Sequence, residues 1–295
     1  MKIVHILPNN PLVCGGIKVH YQLCHLEKEL GYDSYIAYND PLKLQWFYHT
    51  CNEITFSEAK EFLTSDDLIV GWEDPKPLYE FSKPKKVAYI QGDVFFQHQC
   101  NYVNISLWYS SWWNMRRVGR DGKLISPFID PSVFFPSSEN KSYSPPLKVL
   151  IQERKAGKEK WDEIKDKIGN EFIGFVLKDV SEVDFADNLR RSDIFFSHSY
   201  PEGFGLPALE AMASGTLIIG YPGGGGTDFM RPFENCFTCN DGNSVALINL
   251  FRNILNMSQN KLQKIVDNGK SMALSYSSQK TKEQLSEALD EINRK

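Results

Sequence analysis

Twice along the chain, a short apolar run leads through a glycine-bearing loop into a helix and then into a second apolar run. Ile3-Val4-His5-Ile6-Leu7 reads as a buried strand, and Pro8 to Cys14 as a loop. Gly15-Gly16 opens a helix to about Leu30, with Ile17, Val19, Leu23, Leu26 and Leu30 at helical spacing and Gly31 as its stop. Ser34–Tyr38 is the next strand. This βαβ unit is the strongest constraint on the fold. A helical crossover makes its two strands parallel neighbours, and a parallel sheet needs both faces covered. Asp67–Gly71, Lys86–Ile90, Leu107–Ser110 and Lys123–Ser126 continue the strands, and Phe56–Leu63 favours a helix.

Ser137 to Pro146 (SSENKSYSPP) is polar and proline-ended, and reads as a flexible linker. The alternation then restarts. Lys148–Gln152, Glu171–Leu177, Asp193–Ser197 and Thr216–Gly220 read as strands. Lys158–Ile168, Ala208–Ala213, Ser244–Leu255, Lys261–Tyr276 and Thr281–Ile292 read as helices. The 295 residues therefore predict two α/β domains, about 1–140 and 145–275, with a terminal helix over 276–295. Ligands of open parallel sheets bind outside the carboxyl ends of the strands, so the expected site is a cleft between two such domains.

Composition removes other classes. The 33 basic and 37 acidic side chains give a net charge of −4, without the basic excess of a nucleic-acid binder. The apolar run Lys2–Leu7 is too short for a signal peptide, and no stretch approaches the ~20 apolar residues of a membrane span. The expected compartment is the cytoplasm. The scattered cysteines read as free thiols, and the CxxC of Cys236 and Cys239 lacks the second pair or nearby histidine of a zinc site.

Pro201 to Met230 (PEGFGLPALEAMASGTLIIGYPGGGGTDFM) concentrates the chemistry. Glu202 follows a strand, Gly203 and Gly205 permit a tight backbone, and a helix begins near Leu206-Pro207. Free amides at a helix start suit an anionic oxygen. Carboxylates at either end of the turn, Glu202 and Glu210, suit neighbouring hydroxyls of a sugar and a ribose. The four glycines Gly223–Gly226 read as a mobile loop over the site or as an ordinary surface turn.

Glu202-Gly-Phe-Gly-Leu-Pro-Ala-Leu-Glu210, followed by Ala-Met-Ala-Ser-Gly-Thr, resembles the E-x7-E signature of glycosyltransferase family 4. The resemblance implies the GT-B fold: two Rossmann-like parallel-sheet domains facing across a cleft, with the terminal helix returning to the N-terminal domain. It also implies a retaining transfer of a glycosyl group from a nucleotide-sugar donor to a hydroxyl acceptor, in glycan biosynthesis. On this likeness Glu202, Gly203, Phe204, Gly205, Leu206 and Glu210 contact the donor. Gly15 and Gly16 resemble the family's glycine pair near the donor phosphate. Leu124 to Pro136 resembles the segment closing the N-terminal domain. Arg154 and Lys158, in QERKAGK, match the family's spacing of two cations on the diphosphate, with Lys155 a rival for either role. Lys178 and Val180 are candidates near the base. Family members commonly need no metal, and Asp66-Asp67 precedes a strand rather than following one, so no metal or other cofactor is expected.

The family's catalytic histidine is replaced here by Gln91, in Gln91-Gly92-Asp93. Glutamine hydrogen-bonds a hydroxyl but is neither acid nor base. The segment resembles a subgroup containing a bacterial surface-glycan rhamnosyltransferase. Asp93 stands as acceptor ligand, base or turn cap, and Trp112-Trp113 as a sugar platform or core. Three readings stay open: a transferase, a silent nucleotide-sugar or glycan binder, and a sugar-nucleotide epimerase. An oxidoreductase is disfavoured, because Cys14-Gly-Gly-Ile is not GxGxxG. Nucleotide base, sugar, acceptor, oligomeric state and peripheral membrane association are left open.

Overall fold

The computed structural model describes residues 1–10, 13–40, 44–92, 102–138 and 141–294. The chain divides into two compact units, Met1–Phe128 with Ser278–Lys295, and Ile129–Ser277.

In the first unit the elements run β1 (Lys2–Ile6), α1 (Gly15–Glu29), β2 (Asp33–Tyr38), β3 (Asn52–Thr55), α2 (Phe56–Phe62), β4 (Leu68–Gly71), α3 (Lys76–Tyr79), β5 (Lys85–Ile90), β6 (Ser106–Tyr109), α4 (Trp112–Val118) and β7 (Lys123–Leu124). Seven parallel strands lie in the order β3-β2-β1-β4-β5-β6-β7. The interior strand β1 places Val4 opposite Tyr35 on one side and Ile69 on the other. Burial from both faces explains its apolar run. One face packs Val4, Ile6, Ile69 and Ile90 with Leu63, Leu78 and Phe81. The other packs Ile36 and Tyr38 under Ile17, Tyr21 and Cys24 of α1. The edge strand β3 was not read from sequence: Asn-Glu-Ile-Thr is polar because an edge needs little burial.

In the second unit the elements are β8 (Leu147–Gln152), α5 (Gly157–Asp162), α6 (Lys165–Ile168), β9 (Phe172–Leu177), α7 (Glu182–Arg191), β10 (Ile194–Ser197), α8 (Leu206–Ala213), β11 (Leu217–Gly220), β12 (Phe237–Thr238), α9 (Ser244–Ile254) and α10 (Gln259–Leu274). A five-stranded parallel sheet has the order β12-β11-β10-β8-β9. Its core joins Val149, Ile151, Phe196 and Ile219 to Trp161, Phe251 and Leu262. The helix expected over Lys158–Ile168 is two helices. An i→i+3 bond from Ile164 N–H to Trp161 O at 3.0 Å tightens the chain between them. Trp161, Ile164 and Ile168 are all buried as one face.

The boundary between units lies at 128/129, ahead of the expected linker. Residues 141–146 are not a free tether. The half-buried Lys141 ammonium donates to Leu189 O, Ser192 O and Thr216 Oγ1. Tyr143 exchanges two 2.9 Å bonds with the Gln259 amide. The last helix, α11 (Ser278–Arg294), belongs to the first unit. Its Leu285, Ala288, Leu289 and Ile292 are buried. Thr281 Oγ1 donates to Ser126 O at 2.8 Å, and Ser126 N–H donates to Gln284 Oε1 at 2.9 Å. Among the described residues, no helix is long and apolar enough to cross a membrane.

Candidate active site

In the second unit, the loops after β8, β9, β10 and β11 gather at the carboxyl edge of the sheet. After β10 the chain passes a cis Tyr200-Pro201 bond, reaches Glu202 and enters α8 through Gly205. Gly205 has φ 93°, a left-handed conformation that costs glycine little and other residues more. Pro207 in the first helical turn lacks only an N–H that would have no intrahelical partner. Gly203, Phe204, Gly205 and Leu206 are buried, and Phe204 packs on Phe229 and Tyr276.

The glycine run is not a surface turn. Gly223 to Gly226 are buried. Glu202 N–H donates to Gly223 O at 2.7 Å, and Gly225 N–H donates to Glu202 O at 2.8 Å. A Cβ on Gly225 would lie 2.2 Å from Gly203 O. The glycines are small because two backbones touch there, and this contact clamps Glu202 on both sides.

The Glu202 carboxylate is half-buried and meets the Lys155 ammonium at 3.0 Å, which also donates to Pro201 O. Lys155 and Ala156 have φ 52° and 59°, so the turn after β8 is wound left-handed as it delivers Lys155 to Glu202. Arg154 is exposed on the same turn. Lys158 is exposed on α5 and pairs with Asp162 at 2.6 Å, which raises the lysine pKa. Of the two rivals, Lys155 rather than Lys158 faces Glu202. Glu210 lies buried in the second turn of α8. Lys178 is exposed and Val180 half-buried beyond β9, where Glu153 N–H donates to Leu177 O at 2.9 Å.

His198 was not read as a site residue, and no local pattern marks it. It is 2% exposed, and its Nε2 lies 2.9 Å from Gln152 O. A carbonyl only accepts, so Nε2 carries the proton and Nδ1 is left bare, without a hydrogen-bond partner. Lys160 Nζ donates to the backbone O of His198 at 2.8 Å. Burial first, then the Lys160 charge, pushes the imidazole pKa down to about 4. The neutral ring thus ties the turn after β8 to the loop after β10. Gln152, His198, Glu202, Gly205 and Pro207 line one small cavity.

The first unit brings together a separate group. Gly15 and Gly16 form the first turn of α1, and Gln91 Nε2 donates to Gly16 O at 3.3 Å. A Cβ on Gly16 would lie 3.0 Å from the Trp72 ring. Gln91 N–H approaches Glu73 Oε2 at 3.5 Å. Ser111 caps α4 by accepting from Asn114 N–H at 3.0 Å, and Asn114 Nδ2 donates to Ile90 O at 3.2 Å. Trp108 is core, Trp112 is half exposed, and Trp113 lies under the Arg117 guanidinium at 5.0 Å. Asp93 lies outside the described residues.

Compared with the curated proteins by sequence, the chain has no match. Among solved structures, HepE from Anabaena in complex with UDP and glucose is similar at TM-score 0.77 and 13% identity, covering 99% of this chain and 100% of that one. Sucrose-phosphate synthase from Thermosynechococcus elongatus is similar at TM-score 0.73 and 16% identity, over 99% and 98%. A glycosyltransferase from Rickettsia africae is similar at TM-score 0.68 and 15% identity, over 99% and 97%. These likenesses establish the fold as GT-B. Residues 139–272, which include Arg154, Lys155, Glu202 and Glu210, match the family model described as Glycosyl transferases group 1.

Proposed function

We propose that this protein is a retaining glycosyltransferase that moves a sugar from a nucleotide-sugar donor to a hydroxyl acceptor, in the synthesis of a glycan. The observation carrying the reading is the clamped Glu202 beside Lys155 at the start of α8, inside the segment that matches the glycosyl transferases group 1 model. A carboxylate held this way binds sugar hydroxyls. The α8 amides and the cations Arg154 and Lys155 offset the charge that develops on the leaving diphosphate. With that charge met by protein groups, transfer proceeds without a metal ion. The diphosphate itself takes the acceptor proton, which makes a side-chain base at Gln91 unnecessary. Gln91 instead positions a hydroxyl beside Gly16. Because HepE has been solved with UDP-glucose, UDP-glucose is the first donor to test.

The experiment is a donor screen followed by product analysis. A matching nucleotide diphosphate at 100 times its Kd stabilises the protein by ~2.7 kcal/mol, so UDP, GDP and dTDP are compared by thermal shift. NMR of the product then shows a new glycosidic bond with the donor's anomeric configuration, formed equally with EDTA present. An isomerised sugar means an epimerase. Nucleotide binding without any product means a silent binder, a reading favoured by the glutamine at position 91. Inversion of the anomeric centre contradicts retention.

A further inference from the structure

Two cysteines of the first unit meet where α1 packs over the edge of the sheet. Cys24 lies on α1 and is fully buried, while Cys51 lies just ahead of β3 and is half-buried. Both pack into the cluster that holds Tyr21, Ile36 and Tyr38. The strand register explains the meeting. Tyr35 of β2 pairs with Asn52 of β3, and continuing that register back by one residue sets Cys51 beside Ser34. Register neighbours on parallel strands share a face of the sheet. Ser34 is directed to α1, where its hydroxyl donates to Glu27 Oε2 at 2.6 Å. Cys51 shares that face, since its Sγ donates to Tyr21 O at 3.4 Å. Helical carbonyls point toward the C-terminus and residues three apart share a face, so this oxygen lies over the turn that carries Cys24. The two thiol side chains are hydrogen-bonding partners. Cys14 also borders the cluster, but it precedes α1, and the helix between puts it ~15 Å from Cys24, beyond the reach of a bridge.

The two thiols are not equivalent. The hydrogen bond from Cys24 draws the Cys51 pKa down against the opposing effect of burial, and the Lys28 ammonium, which donates to Thr50 O at 3.5 Å, adds to the lowering. The same contact, together with burial, pushes the Cys24 pKa up. The thiolate is the nucleophile of cysteine chemistry, and an accessible thiolate beside a second thiol is the arrangement that peroxide converts to a disulfide. We propose that hydrogen peroxide converts Cys24 and Cys51 to a reversible disulfide, with Cys51 attacking the peroxide and Cys24 resolving the product. The Cys51 sulfur bonds to one peroxide oxygen as the O–O bond breaks, and the departing hydroxide takes up a proton to become water. The Cys24 sulfur then bonds to the Cys51 sulfur as the S–O bond breaks, and the Cys24 proton leaves with the hydroxyl as a second water. The two thiols lose two electrons and the peroxide gains them. The bridge fastens the edge strand β3 to the helix over it.

The test uses the full chain, reduced, exposed to a modest excess of hydrogen peroxide under native conditions, and mapped by mass spectrometry of its tryptic peptides after the remaining thiols are blocked. In the wild type a peptide pair joining Cys24 to Cys51 appears, and dithiothreitol abolishes it. Dimedone, which captures sulfenic acid, labels Cys51 severalfold more heavily in Cys24→Ser than in the wild type, because no thiol resolves the intermediate. Cys51→Ser leaves Cys24 unoxidised, because the buried thiol meets the oxidant only through Cys51. Absence of the joined peptides from the folded wild type overturns the proposal, as does a bridge that forms only in urea. Equal dimedone labelling of Cys51 in the wild type and Cys24→Ser removes Cys24 as the resolving thiol and overturns it too. If Cys24→Ser does not fold, the wild type decides: joined peptides formed under native conditions support the bridge, and their absence rules it out.

Discussion

Gly157 has no room for a methyl group: a Cβ there would lie 1.8 Å from Gln152 O and 2.6 Å from His198 Nε2. Gly157→Ala must therefore break the His198 latch or move the turn that carries Lys155. The latch has a pH signature. With a folded pKa of about 4 against ~6.5 in the unfolded chain, His198 is protonated first in the unfolded state. Its contribution to stability is complete above about pH 6.5 and is lost as the pH falls toward about 4. His198→Gln keeps an N–H donor and removes the titration, so urea titrations of the second unit at about pH 5 and about pH 7 should differ less than in wild type. In the first unit, His5 Nε2 meets Glu27 Oε2 at 2.9 Å, and Ser34 donates to the same oxygen at 2.6 Å, with all three buried. Glu27→Ala strands a buried imidazole and a hydroxyl, and should cost ~3 kcal/mol or more in urea denaturation. By contrast, the half-exposed Lys155–Glu202 pair contributes under ~1 kcal/mol. A donor can displace it easily. Lys155→Ala should leave the urea midpoint nearly unchanged while raising the donor KM several-fold; an unchanged KM would remove Lys155 from the site.

Elements were legible in the sequence where periodicity carried them and illegible where packing did. The buried strand β1 and the face of α1 follow from spacing alone, and the turn from Glu202 into α8 from its glycines and proline. The edge strand β3 and the break between α5 and α6 carry no such pattern. Nor does the burial of Gly223–Gly226, because a glycine run looks the same on a surface loop and between two touching backbones. His198 and Lys155 owe their places to partners 46 and 47 residues away. The helix α4 was not read from sequence; its start is capped by Ser111, which accepts from Asn114 N–H, and Asn114 in turn holds the end of β5 just before Gln91. Ser111→Ala should cost ~1 kcal/mol, read as a lower urea midpoint of the first unit.

For the whole molecule, chain order and compactness disagree. The last helix α11 completes the first unit, with Lys282 pairing to Glu29 at 3.0 Å and Lys85 Nζ donating to Ile292 O at 2.8 Å. A chain ending at Ser277 should lose cooperative unfolding of the first unit and expose apolar surface to dye, while the second unit unfolds as before. That second unit holds most of the residues on which the transferase reading depends. The most direct test is kcat/KM for sugar transfer by Glu202→Ala, shown to be folded by its circular dichroism. The account predicts a fall of at least ~100-fold, equivalent to ~2.7 kcal/mol of lost transition-state stabilisation. Near-wild-type turnover by the folded variant would contradict it.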